Sequence, residues 1–258
     1  MLFNTFGNKD NPVIIMLPGS FCPAESMKNL YSVLCKDFYI IAITYNGHHK
    51  DSKDFTSRQE EASEILRYIK ECGISEIRMI YGQSMGAEIG IELLRQFVAD
   101  GITVHKTFFD GAPCIKLSKA YKAFMLIKFK SLIKMVKNKS VDDVLKMSVV
   151  RKFAGGDAEA LRPMLEDMSM VTPYLTDISI KNENECCYTF DFPQFDEGIQ
   201  KNMFFFYGEE EKAYTLCAKY VRAAYPYAEY KVESGQGHLT YVSRHTEAYL
   251  ELIKEWLI

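Results

Sequence analysis

The sequence predicts an α/β protein: a mostly parallel central sheet flanked by helices, with a helical segment inserted before the last strands. Two observations carry this. Short, predominantly apolar runs alternate with stretches of helical periodicity through the first half of the chain; runs that are apolar at nearly every position suit strands covered on both faces, as in parallel sheets. That β-α-β-α grammar lapses from about Cys114 to Phe195 and then resumes, and an excursion of that size between two strands is too long for a plain loop.

The elements follow in order. Val13–Leu17 and Phe38–Thr44 are the first strands. Arg58–Glu71 sets Ala62, Ile65, Leu66 and Ile69 at helical spacing and is stopped by Gly73. The strand Ile77–Tyr81 leads into a helix over Gly86–Phe97, with Ile89, Leu93, Leu94 and Phe97 on one side, and Thr107–Phe109 is the next strand. Inside the excursion, Lys122, Lys128, Lys130, Lys134, Lys137 and Lys139 alternate with apolar residues between Tyr121 and Lys139. This reads as an amphipathic helix packing its apolar side on the core, with association to a membrane surface as the alternative. Ser140-Val-Asp-Asp143 resembles a capping box, and Gly155-Gly156 breaks the chain before Asp157, which is placed to cap a further helix. Met203–Tyr207 restores the strand pattern, followed by a helix near Tyr214–Ala224, the strand-like Glu229–Val232 and a last helix ending in Trp256. The expected division is a core of residues 1–113 and 196–258 and a helical cap of residues 114–195.

Composition excludes several classes. A chain of 258 residues makes one large domain or two small ones. Lys and Arg total 31 against 34 for Asp and Glu, a net charge of −3 with His neutral, so there is no global electrostatic footprint for nucleic acid. The 48% hydrophobic content is too high for a disordered chain. The longest apolar runs fall far short of the roughly 18 residues of a membrane span, and Met1–Asp10 lacks the zones of a signal peptide; a soluble protein is expected. Seven cysteines, an odd number with no C-x-x-C pair, do not describe a disulfide framework and point to a reducing, cytoplasmic setting.

Gly82-Gln-Ser84-Met-Gly86 matches G-x-S-x-G and stands between the run Ile77–Tyr81 and a helical pattern. That strand-turn-helix setting is what a nucleophile elbow requires: a tight, strained turn lifts the serine hydroxyl above the sheet edge, and the glycines leave room for neighbouring backbone. Three more landmarks follow strands in the same order along the chain: Leu17-Pro-Gly-Ser20, Tyr45-Asn-Gly-His-His49 and Gly235-Gln-Gly-His238. On these motifs the sequence resembles the α/β-hydrolase superfamily over nearly its whole length except the cap, with Pro18 where that family more often has His.

A serine hydroxyl is a poor nucleophile unaided, so an imidazole must take its proton and return it to the leaving group. Of the five histidines, His48 and His49 fall in the family's structural turn, His105 leads into a strand and His245 lies on the final helix pattern; His238, after a flexible Gly-x-Gly, is the expected acid-base residue. The resemblance implies Glu211 as the acid that orients it, from the family's Gly-x-x-Asp spacing after the strand ending at Tyr207. Asp110, Glu209 and Glu210 remain as alternatives. The resemblance also implies an oxyanion hole made by the backbone N–H groups of Ser20 and Met85, with Phe21 able to replace Ser20. No H-E-x-x-H, Walker or G-x-G-x-x-G pattern appears, so no metal and no cofactor is implied.

The expected activity is therefore that of a serine hydrolase (carboxylesterase-like) acting on a small-molecule acyl substrate through an acyl-Ser84 intermediate. Thioester, lactone, amide and C–C bond cleavage remain open within the same constellation. A small-ligand sensor on a hydrolase scaffold and a membrane-peripheral lipid hydrolase using the Lys-rich helix are the rivals.

Overall fold

The computed structural model describes residues 1–153 and 158–258. Its seven strands are β1 (Leu2–Phe6), β2 (Val13–Leu17), β3 (Tyr39–Thr44), β4 (Glu76–Gln83), β5 (Thr103–Asp110), β6 (Met203–Gly208) and β7 (Glu229–Glu233). They form one sheet in the order β1-β3-β2-β4-β5-β6-β7, parallel throughout except that β1 runs antiparallel to β3. The helices between β1 and β5 are α1 (Lys28–Leu34), α2 (Arg58–Glu71) and α3 (Met85–Asp100).

The apolar runs are explained by burial on both faces. Ile15 and Leu17 of β2 pack with residues of α2 and α3, whereas Ile14 and Met16 on the opposite face pack with Leu30 and Leu34 of α1. A strand sandwiched this way has no solvent-facing position at which a polar residue is tolerated. β1 is a strand the sequence reading does not contain. It is a half-exposed edge of five residues that pairs Phe3 with Ile43, and such a strand buries too little to leave a continuous apolar signal. β5 also begins earlier than expected, so His105 lies within the strand.

β2 and β4 are neighbours, yet the chain leaves β2 toward α1 on one face and β4 toward α3 on the other. In open α/β sheets the carboxyl ends of strands at such a reversal frame a crevice where ligands bind. The turn Leu17–Ser20 and the turn at Ser84 both lie there.

Between β5 and β6 the chain forms α4 (Lys119–Asn138), α5 (Val141–Lys146), α6 (Ser148–Phe153), α7 (Arg162–Val171), α8 (Asp177–Tyr188) and the short α9 (Glu197–Gln200). Side chains of Ser118, Ser140 and Thr176 cap α4, α5 and α8 by accepting backbone N–H groups. Ile133, Val136, Val144, Leu145, Leu165, Met168, Val171 and Ile180 build a separate apolar cluster that also takes in Phe21 and Cys22. The second half of α4 contributes the buried Ile133 and Val136 to that cluster, whereas Tyr121, Phe124 and Ile127 in its first half are exposed. The break at Gly155-Gly156 and the expected cap Asp157 lie outside the described residues. After β6 come a π-helical turn (Ala213–Cys217) continuing into α10 (Ala218–Ala224), then α11 (Thr240–Arg244) and α12 (Thr246–Leu257) beyond β7. Among the described residues no helix is long and apolar enough to cross a membrane.

Candidate active site

Ser84 connects β4 to α3 with φ 51° and ψ −119°, a conformation that side-chain-bearing residues adopt only where the surroundings enforce it. Both flanking glycines are required by close approach. A Cβ on Gly86 would lie 2.2 Å from the Leu17 carbonyl oxygen, and one on Gly82 would lie 2.5 Å from that of Gly86. The Ser84 N–H donates to the Asp110 carbonyl at 2.8 Å, which ties the turn to the end of β5. Gly19 faces it from the other side, so close that a Cβ there would lie 3.5 Å from Ser84 Cβ.

Beyond β6, the Gly208 N–H donates to Glu211 Oε1 at 2.9 Å, while Glu211 Oε2 is hydrogen-bonded to His238 Nδ1. The Gly235–His238 turn is brought there by backbone contact: Glu210 N–H donates to the Gln236 carbonyl at 2.9 Å, and a Cβ on Gly208 would lie 2.3 Å from that same oxygen. The His238 ring lies against Gly111, where a Cβ would meet Cε1 at 2.6 Å. Ser84 and the His238–Glu211 pair therefore flank consecutive residues, Asp110 and Gly111. Among the described residues Ser84 Oγ has no hydrogen-bond partner; contacts of this kind commonly tighten only when substrate binds.

Removal of the His238 ring from water lowers its basicity, but the hydrogen bond and negative charge of Glu211, helped by Asp110, outweigh this and raise its pKa above 6.5. The side chain retains 39% exposure, which moderates the effect. Asp110 turns away from His238: its Oδ2 accepts the Tyr249 hydroxyl at 2.6 Å, Tyr81 donates to Tyr249 at 3.0 Å, and Gln83 donates to Tyr81 at 2.8 Å. Burial, then the charge of Glu211, push the Asp110 pKa up to about 7. Glu209 and Glu210 are exposed, and Glu209 accepts the Ser234 hydroxyl.

The Met85 N–H is the first of α3 and has no intrahelical acceptor. Among the described residues the Ser20 N–H also has no protein acceptor. Phe21 differs. Its N–H donates to Glu183 Oε2 at 3.0 Å, it holds φ at 58°, and Glu183 Oε1 meets His48 Nε2 at 2.7 Å. Because His48 Nδ1 faces the Cys22 carbonyl at 3.2 Å, it donates there. The turn after Ser20 is thus gripped by Glu183 of α8 and His48 of the turn after β3, which share a proton between Oε1 and Nε2, both side chains being fully buried.

No family model matches the chain. A solved α/β-hydrolase family protein from Desulfitobacterium hafniense superposes with a TM-score of 0.78 over 100% of both chains, at 16% identity. This chain has the α/β-hydrolase fold. The fold recurs in an esterase from Thermogutta terrifontis (TM-score 0.72, 14% identity, 99% of this chain and 92% of that one) and in an enol-lactonase from Burkholderia xenovorans LB400 (0.72, 13%, 99% and 95%). A curated relative from Pseudomonas putida, 1H-3-hydroxy-4-oxoquinoline 2,4-dioxygenase, is 30% identical over 102 residues, and the match spans 38% of each chain.

On this α/β-hydrolase fold, sequence reasoning missed Glu183 and Tyr249, buried polar groups whose partners come from distant segments, and Glu88, a buried carboxyl with no hydrogen-bond partner among the described residues. Among the described residues no cluster of three or more metal-ligating side chains occurs.

Proposed function

We infer that the protein is a serine hydrolase of carboxylic esters or related acyl bonds, with Ser84 as nucleophile, His238 as acid-base residue, Glu211 as its orienting acid, and the N–H groups of Ser20 and Met85 as the oxyanion hole. The observation that carries this reading is the strained Ser84 turn beside a His238–Glu211 pair at the same end of the sheet. With Nδ1–H held by Glu211, the imidazole presents Nε2 as the base. Nε2 takes the Ser84 Oγ proton as Oγ bonds to the acyl carbon, and the carbonyl oxygen becomes an oxyanion facing the two N–H groups. Collapse expels the alcohol, which receives the proton from Nε2; water, deprotonated by the same nitrogen, then adds to the acyl-enzyme and releases the acid.

The partial likeness to a dioxygenase favours one second reading. In it, the site takes a hydroxylated oxoquinoline, the substrate class in that relative's name, and turnover with O2 does not pass through an acyl-Ser84 intermediate. One variant separates the two. A fluorophosphonate should label Ser84 in the native chain, with the adduct located by peptide mass, and Ser84→Ala should lose labelling and hydrolysis of short activated esters. Ester turnover that survives Ser84→Ala overturns the acyl-enzyme reading, and oxygen consumption with 3-hydroxy-4-oxoquinoline that survives it supports the second.

A further inference from the structure

Glu88 stands one helical turn beyond Ser84 on the same face of α3. It has 0% exposure, and both carboxyl oxygens lack a hydrogen-bond partner among the described residues. A buried carboxyl left unmatched costs stability without return in a purely structural role. The cation whose charge acts on it does not bond it: Arg58 donates to the carbonyl oxygens of Cys186 and Thr189 and to Thr189 Oγ1, and lies over the Phe190 ring.

The groups that feel the charge of Glu88 are Cys114, Cys186, Cys187, Tyr188 and Cys217, all held in their neutral forms first by burial. They belong to the segments that carry the candidate site. Cys114 follows Gly111, against which His238 lies; Cys217 follows Glu211; Cys187 Sγ is 3.3 Å from Ser20 Oγ. Glu88 thus lies among buried side chains carried by the segments that frame the candidate site, one turn of roughly 5.4 Å along the helix from Ser84.

We propose that Glu88 is the polar floor of the acyl pocket and binds a neutral hydroxyl or amide group carried by the substrate about one helical turn from the scissile carbonyl. The proposal rests on the acyl-hydrolase reading above. Burial pushes the Glu88 pKa up to about 8 against the pull of Arg58, so near neutral pH the group is mostly a carboxylic acid with one donor and a free acceptor. A hydroxyl or amide, donor and acceptor at once, matches it. An ammonium would demand an ionised carboxylate among thiols in a dry site.

The test compares p-nitrophenyl 6-hydroxyhexanoate with p-nitrophenyl heptanoate, equal in length, and with the 6-aminohexanoate. The native enzyme should favour the hydroxy ester over the heptanoate by tenfold or more in kcat/KM, since a site built around a polar group discriminates against analogues lacking it. Glu88→Gln, which keeps a donor and an acceptor, should retain the preference, and Glu88→Met should reverse it. A native preference for the heptanoate that Glu88→Met leaves unchanged overturns the proposal, as does a preference for the amine. Should no ester be turned over and Ser84 stay unlabelled, the acyl-hydrolase reading fails by itself. Calorimetric titration with 6-hydroxyhexanamide and heptanamide then decides: tenfold tighter binding of the hydroxyl compound, lost in Glu88→Met, sustains the role of Glu88, and equal or absent binding of both ends it.

Discussion

Glu211 and Asp110 are acids at the ends of neighbouring strands, each 2% exposed, and they are employed differently. Glu211 faces an imidazole that is partly exposed to solvent; Asp110 faces a phenol that leads through Tyr81 to Gln83 and back into the sheet. Equal burial therefore does not assign a carboxylate. The partner does: the hydrogen bond and charge of Glu211 favour the protonated form of His238, raising its pKa above 6.5, whereas the Tyr249 and Tyr81 hydroxyls are pushed well above 10 by burial and stay neutral. Asp110 contributes to the site through its backbone, by holding the Ser84 N–H.

The sharpest way to break this contrast is a pair of isosteric substitutions. Glu211→Gln should lower kcat on the order of 10⁴-fold by leaving the imidazole in the wrong tautomer. Asp110→Asn, whose amide oxygen still accepts from Tyr249, should stay within about tenfold of the native rate. Steady-state kinetics on both folded variants check this, and the reverse order would move the acid to β5.

A smaller effect is expected at Gly111. Its φ of +62° and the 2.6 Å approach of His238 Cε1 mean that Gly111→Ala displaces the ring, and a shift of about 1 Å at a catalytic group costs on the order of 10²-fold. Gly73→Ala, at φ +69° with nothing within 4 Å, carries a similar backbone strain of roughly 1–2 kcal/mol and should lower Tm with native kinetics. Equal kinetics in the two variants would detach His238 from the site.

The pH profile is the next measurement. Because Glu211 raises the His238 pKa and Nε2 must be unprotonated to act, kcat/KM should rise with pH through a midpoint above 6.5, and residual activity of Glu211→Gln should show a lower midpoint.

Asp110 carries the smallest expected effect, on stability alone. Its pKa rises from 3.8 in the ordinary state to about 7 in the fold, so the native state favours its protonated form. That contribution is complete below about pH 4 and is lost as pH rises toward 7. The Tm of the native protein relative to Asp110→Asn should fall across that interval, and a flat difference would show that Tyr249 compensates the buried charge.

These contrasts separate what sequence carries from what folding adds. β2 and β3 were legible because every position is covered, and the Ser84 turn because its glycines and flanking elements are local. β1, an edge, and Glu88, in a helix whose Glu92 pairs with Arg95 near the surface, were not. In Glu88-Ile-Gly-Ile-Glu92 the two acids read alike, and only the approach of Cys114, Cys186 and Cys217 from remote segments distinguishes them. Glu183 escaped notice for the same reason, since both groups it binds lie more than a hundred residues earlier.

The grip of Glu183 on the turn after Ser20 also divides the helical layer into a fixed and a yielding part. Beyond Glu183, α8 is fastened to the sheet body by Asn182 donating to the Phe55 carbonyl at 2.8 Å, by the Phe55 N–H donating to Ser179, and by Arg58 holding its C-terminal end. Raising α8 would strip a buried carboxylate of its partners at about 3–5 kcal/mol and release the Ser20 turn with it. The first turn of α4 is tied to α8 by the ion pair Lys122–Glu185 and by Asn184 donating to the Lys122 carbonyl, and its middle by the ion pair Lys130–Asp177; surface pairs of that kind hold with only about 0–1 kcal/mol each. Mechanically, α8 is a rivet for the turn after Ser20, whereas the stretch of α4 that carries the exposed Tyr121, Phe124 and Ile127 is fastened to it by the weaker pairs.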